Sequence, residues 1–255
     1  MQNKPSKRAQ ARIAMLTPSS NTVLEPFTGA MTLPLFPDVS VHYARFRVTR
    51  IGLDPKSNDQ FALEPILQAA ELLADAKPDV IAWNGTSASW LGFDTDERLC
   101  REISARTGIL ATSAVLSFNR ILAERGIRRL GLVTPYTLDV QKRIIANYAA
   151  AGVETVSERH ADLSDNFSFA EVPESQISAM CVDVAQAKPE AIAIMCTNMR
   201  GPLLVPDLEK RLGIPVLDSI AFTLWGCLRQ SQVPMAPLRQ FGSLFTDPLI
   251  TELAS

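Results

Sequence analysis

The second half of the chain repeats the first. Arg12-Ile-Ala-Met-Leu-Thr-Pro18 returns as Arg129-Leu-Gly-Leu-Val-Thr-Pro135, and Ala76-Lys-Pro-Asp-Val-Ile-Ala82 as Ala187-Lys-Pro-Glu-Ala-Ile-Ala193. Thr107-Gly108-Ile109 returns as Leu212-Gly213-Ile214. Apolar strands make any two α/β units look alike, but three matches in one order, two of them keeping a proline, argue for a duplication. Short apolar runs at Arg12–Leu16, Val80–Trp83, Ile109–Thr112, Leu130–Val133, Ala191–Met195 and Pro215–Leu217 read as buried parallel strands. Helix-like stretches at Gln60–Ala76, Asp96–Thr107, Thr137–Ala151 and Glu174–Ala187 lie between them. This alternation predicts an α/β fold of two similar lobes, each a parallel sheet flanked by helices. A pseudo-twofold axis relates the lobes, and the active site is expected in the cleft between them. Lobe one is expected over residues 11–115 with the segment 217–255 returning to it, lobe two over 116–216, and residues 1–10 as a flexible tail.

Bulk properties narrow the function. With 47% hydrophobic and 20% charged residues, the 255-residue chain has the composition of a globular protein with a substantial core. A net charge of −2 provides no basic field for a nucleic acid or an anionic membrane. No apolar run reaches membrane-spanning length, and the basic start of the chain is not followed by an apolar signal core, so a cytoplasmic location is expected. Cys100, Cys181, Cys196 and Cys227 form no Cys-x-x-Cys pair. With only His42 and His160 beside them, neither a disulfide framework nor a metal site is expected. No glycine-rich phosphate loop occurs, and the chain is read as cofactor-free.

Small polar residues gather where strands end. Pro18-Ser19-Ser20-Asn21-Thr22 and Asn84-Gly85-Thr86-Ser87 follow strands of the first half, Thr134-Pro135-Tyr136-Thr137 and Cys196-Thr197-Asn198 strands of the second. Each Ser, Thr or Asn taken singly serves equally well as a helix cap. Four such loops at equivalent strand ends would meet between facing lobes and offer hydroxyls, amides and free N–H groups to carboxylates and oxyanions. The offset that carries Ala82 onto Ala193 carries Gly85 onto Cys196. A thiol therefore stands on one wall of the expected cleft and a bare glycine on the other. A cysteine ending an apolar strand is often only a small buried hydrophobe; at a helix N-terminus it can act as acid, base or nucleophile.

At these residues the chain resembles the aspartate/glutamate racemase superfamily, and more narrowly its branch of maleate cis–trans isomerases and arylmalonate decarboxylases. The markers are Pro18-Ser19-Ser20-Asn21-Thr22, Gly85-Thr86-Ser87, Val133-Thr134-Pro135-Tyr136, Ser164-Asp165-Asn166, and Cys196-Thr197-Asn198 through Leu208-Glu-Lys-Arg-Leu-Gly-Ile-Pro215. The resemblance implies two lobes with cysteines facing across a cleft. Arylmalonate decarboxylases carry Gly-Thr-Ser in place of the first cysteine, and Gly85-Thr86-Ser87 with Cys196 follows that pattern. It also implies that Thr86, Ser87 and Tyr136 form a dioxyanion hole, with Cys196 as proton donor. Pro18, Ser19, Asn21, Gly85, Asn166, Thr197, Asn198 and Arg47 would contact substrate. Asn21, Asn166, Asn198 and the run Arg45-Phe-Arg47-Val-Thr-Arg50 depart toward the isomerases, although Arg45 and Arg50 read equally as an exposed strand edge.

Three functions are thus in play. The first is cofactor-independent decarboxylation of a malonate-like dicarboxylic acid through an enediolate protonated by one cysteine. The second is cis–trans isomerisation or racemisation with a single thiol, and the third is carboxylate binding without turnover. The expected partner is a small dicarboxylate or monocarboxylate, and homo-oligomers are compatible with the sequence. Trp83, Trp90 and Trp225 read as core or rim packing, with Trp90 near the mouth of the Gly85 loop. Cys100, Cys181 and Cys227 read as core, and Asp94–Glu97 as a solvated helix start.

Overall fold

The computed structural model describes residues 10–246. The expected tail lies outside them except for residue 10, as does the expected returning segment from 247 onward.

The first half runs β1 (Ala11–Pro18), α1 (Leu24–Thr32), β2 (Val39–Phe46), α2 (Pro55–Asn58), α3 (Leu63–Ala74), β3 (Val80–Trp83), α4 (Ala88–Leu91), α5 (Phe93–Thr107), β4 (Leu110–Ser113) and α6 (Ala114–Glu124). The second runs β5 (Arg129–Tyr136), α7 (Leu138–Ala150), β6 (Glu154–Leu163), α8 (Glu174–Ala185), β7 (Ala191–Ile194), α9 (Val205–Leu212), β8 (Val216–Asp218) and α10 (Ser219–Gln230). Two four-stranded parallel sheets result, ordered β2-β1-β3-β4 and β6-β5-β7-β8. The central strands β1, β3, β5 and β7 are apolar and buried, as strands covered by helices on both faces must be.

The repeated motifs have a physical reason to recur. Lys77 and Lys188 both take left-handed backbone angles, φ 49° and 51°, in the turn that feeds β3 or β7. In the first lobe the Asp79 carboxylate accepts the Arg12 N–H at 2.7 Å, and the Arg12 guanidinium donates to the Lys77 carbonyl at 2.8 Å. In the second, Glu190 accepts the Arg129 N–H at 3.0 Å, and Arg129 donates to the Lys188 carbonyl at 3.1 Å. Each arginine thus ties the start of one central strand to the turn before the next. Gly108 and Gly213, at φ 70° and 66°, end α5 and α9 in the left-handed conformation that glycine adopts without steric cost.

The sheets are joined by more than their seam. β8 pairs in the second sheet as far as Asp218, two residues past the expected lobe boundary at 216. The next helix, α10, leaves that sheet and packs against β3, β4 and α6. It is buried over most of its length, and at its crossing with α6 a Cβ on Gly226 would stand 2.1 Å from the Ser117 hydroxyl, so only glycine fits. A short antiparallel bridge between Arg50 and Asp165 links the lobes on the side of the edge strands. No helix among the described residues is long and apolar enough to cross a membrane.

Candidate active site

Cys196 follows β7 by two residues, at the carboxyl end of a central strand, and is 3% exposed. Its sulfur accepts the Asn198 N–H at 3.4 Å and lies within hydrogen-bonding reach of the Tyr136 hydroxyl at the end of β5. Tyr136 reaches across the seam to Thr86, oxygen to oxygen at 2.6 Å. Thiol, phenol and threonine hydroxyl therefore form one connected set spanning both lobes. Burial pushes the Cys196 thiol up to about 12; the Asn198 N–H and Tyr136 hydroxyl pull it down, and Asp218 adds to the rise. Burial likewise holds the Tyr136 phenol well above its ordinary range, and the neighbouring sulfur pushes it further. Both groups stay protonated at neutral pH.

The polar loops meet as the repeat requires. Asn21 donates to the Thr197 carbonyl at 3.1 Å, the Thr197 hydroxyl donates to the Asn84 carbonyl at 2.8 Å, and the Thr22 N–H donates to the Asn198 side-chain carbonyl at 3.0 Å. Asn198 donates to the Asn166 carbonyl at 2.6 Å, and Asn166 to the Ser20 hydroxyl at 2.7 Å. Asn21 also accepts the Val23 and Leu24 N–H groups, capping the start of α1. All three asparagine amide nitrogens are thus engaged in holding loop to loop. The Pro18 carbonyl accepts the Asn21 N–H, and the Ser19 hydroxyl accepts the Val48 N–H at 3.2 Å; both residues shape the loop from behind.

Several expectations are corrected. Arg47 is not brought to the cysteine: it is exposed and lines a groove with Thr49, Arg50, Lys56, Asp54 and Asp59. Arg45 is the arginine that reaches the site loop, donating to the Ser19 and Asn21 carbonyls at 3.1 and 3.0 Å while paired with Glu25. The space at Gly85 is not open, because the Trp83 indole lies across it. Ser87 is buried beside a cavity lined also by Trp83 and Asp96, and among the described residues its hydroxyl makes no bond to the Thr86–Tyr136 pair. Asp96 is not solvated: it is 2% exposed, burial pushes its carboxyl up to about 7, and one oxygen lacks a partner. Trp90 packs edge-on against Tyr136 with ring centres 5.2 Å apart. Cys100, Cys181 and Cys227 are buried core residues.

Sequence reasoning places Ser20 and Asn84 in the site loops without a role, reads Trp83 as packing, and passes over Asp218. Ser20 bridges Asn166 to the Val48 carbonyl. Asp218 caps α10 through the Ile220 N–H at 2.8 Å, with its other oxygen unpartnered. An acid directly before an apolar helix was a readable capping signal.

Two like-ordered parallel sheets, with a protonated thiol and its polar partners on the seam, define a class: the aspartate/glutamate racemase-like superfamily. The chain belongs to the arylmalonate decarboxylase family, whose model matches residues 23–244. It is 25% identical over 238 residues to the arylmalonate decarboxylase of Bordetella bronchiseptica, covering 92% of this chain and 96% of that one. It is 27% identical over 236 residues to the maleate isomerase of Nocardia farcinica, covering 88% and 92%. Among solved structures, a cysteine variant of the Nocardia farcinica maleate cis–trans isomerase with a covalently bound succinylcysteine intermediate superposes with TM-score 0.85 at 23% identity, over 94% of this chain and all of that one. Arylmalonate decarboxylase superposes with TM-score 0.72 at 23% identity, over 92% and 99%. These likenesses establish the fold.

Proposed function

We propose that the chain is a cofactor-independent decarboxylase of a malonate-like dicarboxylic acid. The observation that carries this reading is the buried Cys196 thiol at the seam, raised by burial to about 12 and in hydrogen-bonding reach of Tyr136, which pairs with Thr86, with Gly85-Thr86-Ser87 carrying no thiol in the first-lobe loop. Breaking one carbon–carboxylate bond leaves its electron pair on the remaining carboxylate carbon skeleton as an enediolate. The hydroxyls of Thr86 and Tyr136 would stabilise the charge that develops on its oxygens more than that of the bound diacid, as catalysis requires. Cys196 would then pass its proton to the α-carbon and recover one from water. With one acid on one wall, a prochiral diacid would give one enantiomer.

A thiol kept neutral by burial is equipped to donate a proton. Adding to an alkene carbon, as in cis–trans isomerisation, would require the thiolate. The asparagines favour the isomerase reading by type, but their amide nitrogens are committed to the loop network.

Incubation with an alkylmalonate, and separately with maleate, separates the readings. The expected outcome is CO₂ and the monoacid from the first and no fumarate from the second. Cys196→Ala should lower CO₂ release by about a hundredfold to ten-thousandfold. An alanine variant as active as the parent, or fumarate as the sole product, would sink the proposal.

A further inference from the structure

Trp83 ends β3 two residues before Gly85. A Cβ built on Gly85 would stand 1.8 Å from Cζ2 of the Trp83 ring and 2.3 Å from Cε2. Gly85 is bracketed by Asn84, whose carbonyl takes the Thr197 hydroxyl, and by Thr86, whose hydroxyl meets Tyr136. The edge of the indole therefore fills the place that a side chain at position 85 would take. Space on the thiol's own side is small, since Cys196 is 3% exposed and Thr86 and Tyr136 close on each other.

Trp83 also borders a cavity of about 490 Å³, walled by apolar residues such as Phe61, Ile66 and Leu99 and, on its polar part, by Asp96 and Arg98. That is within the range of small-molecule sites, roughly 300–1,000 Å³, which likewise combine apolar walls with a few polar groups. The indole is held against Gly85 by Phe46 and Phe61, with ring centres at 5.0 and 6.4 Å. Trp83 thus covers Gly85 and walls a space large enough for an aromatic ring.

We infer that Trp83 sets the substrate specificity of the Cys196 site: with the indole in place the site takes diacids whose α-substituent is hydrogen or methyl, and shortening Trp83 joins the site to the cavity and admits an aryl substituent. The diacid class rests on the decarboxylase reading; the partition itself rests on geometry alone.

The test separates the two by using binding, which needs no turnover. Propionate and phenylacetate stand in for the monoacid products and are titrated calorimetrically into the parent protein and Trp83→Leu, with Trp83→Phe as the second variant should leucine fail to fold. The parent should bind propionate more tightly. In the variant the ratio of phenylacetate to propionate affinity should rise tenfold or more. A ratio unchanged within threefold in a folded variant, or tighter binding of phenylacetate by the parent, would overturn the inference. Failure of both acids to bind either protein would remove the carboxylate site and the inference together. Binding with the expected ratios, but no CO₂ from methylmalonate or phenylmalonate, would remove the decarboxylase and leave the partition standing. A second readout is stability: Gly85→Cys should lower the melting temperature of the parent and do so less in the Trp83→Leu background, and equal losses would count against the partition.

Discussion

Cys196 owes its acidity to where it sits more than to what it touches. Removal from water disfavours the thiolate, a nearby carboxyl adds to that, and two hydrogen-bond donors only trim the result, near 12. A proton donor must be protonated to work, so raising its pKa extends activity toward alkali. The rate of CO₂ release should hold level to at least pH 10; an ordinary exposed thiol, with a pKa of about 8.5, would turn it down well before. A fall centred near pH 8.5 would mean that Cys196 is solvated during turnover or is not the acid. The buried carboxyls make a separate demand. Asp96 and Asp218 are both raised to about 7 by burial, from 3.8. Below the lower value, folded and unfolded chains both carry the proton. Above it the unfolded chain ionises first, so the stability present in acid is lost as pH rises through about 7 and then levels. Melting temperature should therefore be higher at pH 5 than at pH 8 as far as these groups act, and Asp96→Asn should flatten that slope.

At the scale of the element, the central strands were legible because burial on both faces leaves an unbroken apolar run. The edge strands β2 and β6 do not read as buried strands for the converse reason; at β2 only a strand edge around Arg45 is suggested. Each is only half-buried along most of its length, and polar residues such as Ser40, His42, Ser157 and His160 interrupt its pattern. Helix α5 begins at Phe93, three residues before its expected start, and carries the buried Asp96 inward; charge alone had suggested a wet face. The α6–α10 crossing makes an element-scale prediction. Gly226→Ala should destabilise the fold by about 1–3 kcal/mol, because an added methyl has no room beside Ser117. Ser117→Ala in the same chain should return part of that loss, measured by chemical denaturation; full additivity of the two changes would contradict the close approach.

For the whole molecule, the lobes are held at one seam by hydrogen bonds between loops far apart in sequence, with Asn198 at the hub. Asn198→Ala would leave the Thr22 N–H and the Asn166 carbonyl without partners, at about 1–3 kcal/mol for each group that stays dry. Denaturant midpoint should fall, and the Thr22 amide should exchange faster than amides in β1; an unchanged Thr22 amide would mean that the seam is held elsewhere. By itself the sequence determined the internal repeat, the parallel α/β class and the small polar loops at the strand ends. Those features are written in local period, turn residues and repeat offset, which neighbours along the chain specify. Tertiary structure alone decided that Arg45 rather than Arg47 reaches the site loop and that Trp83 covers Gly85. These depend on which side chains share a volume after folding, and close packing between segments distant in the chain leaves no periodic trace in the order of residues.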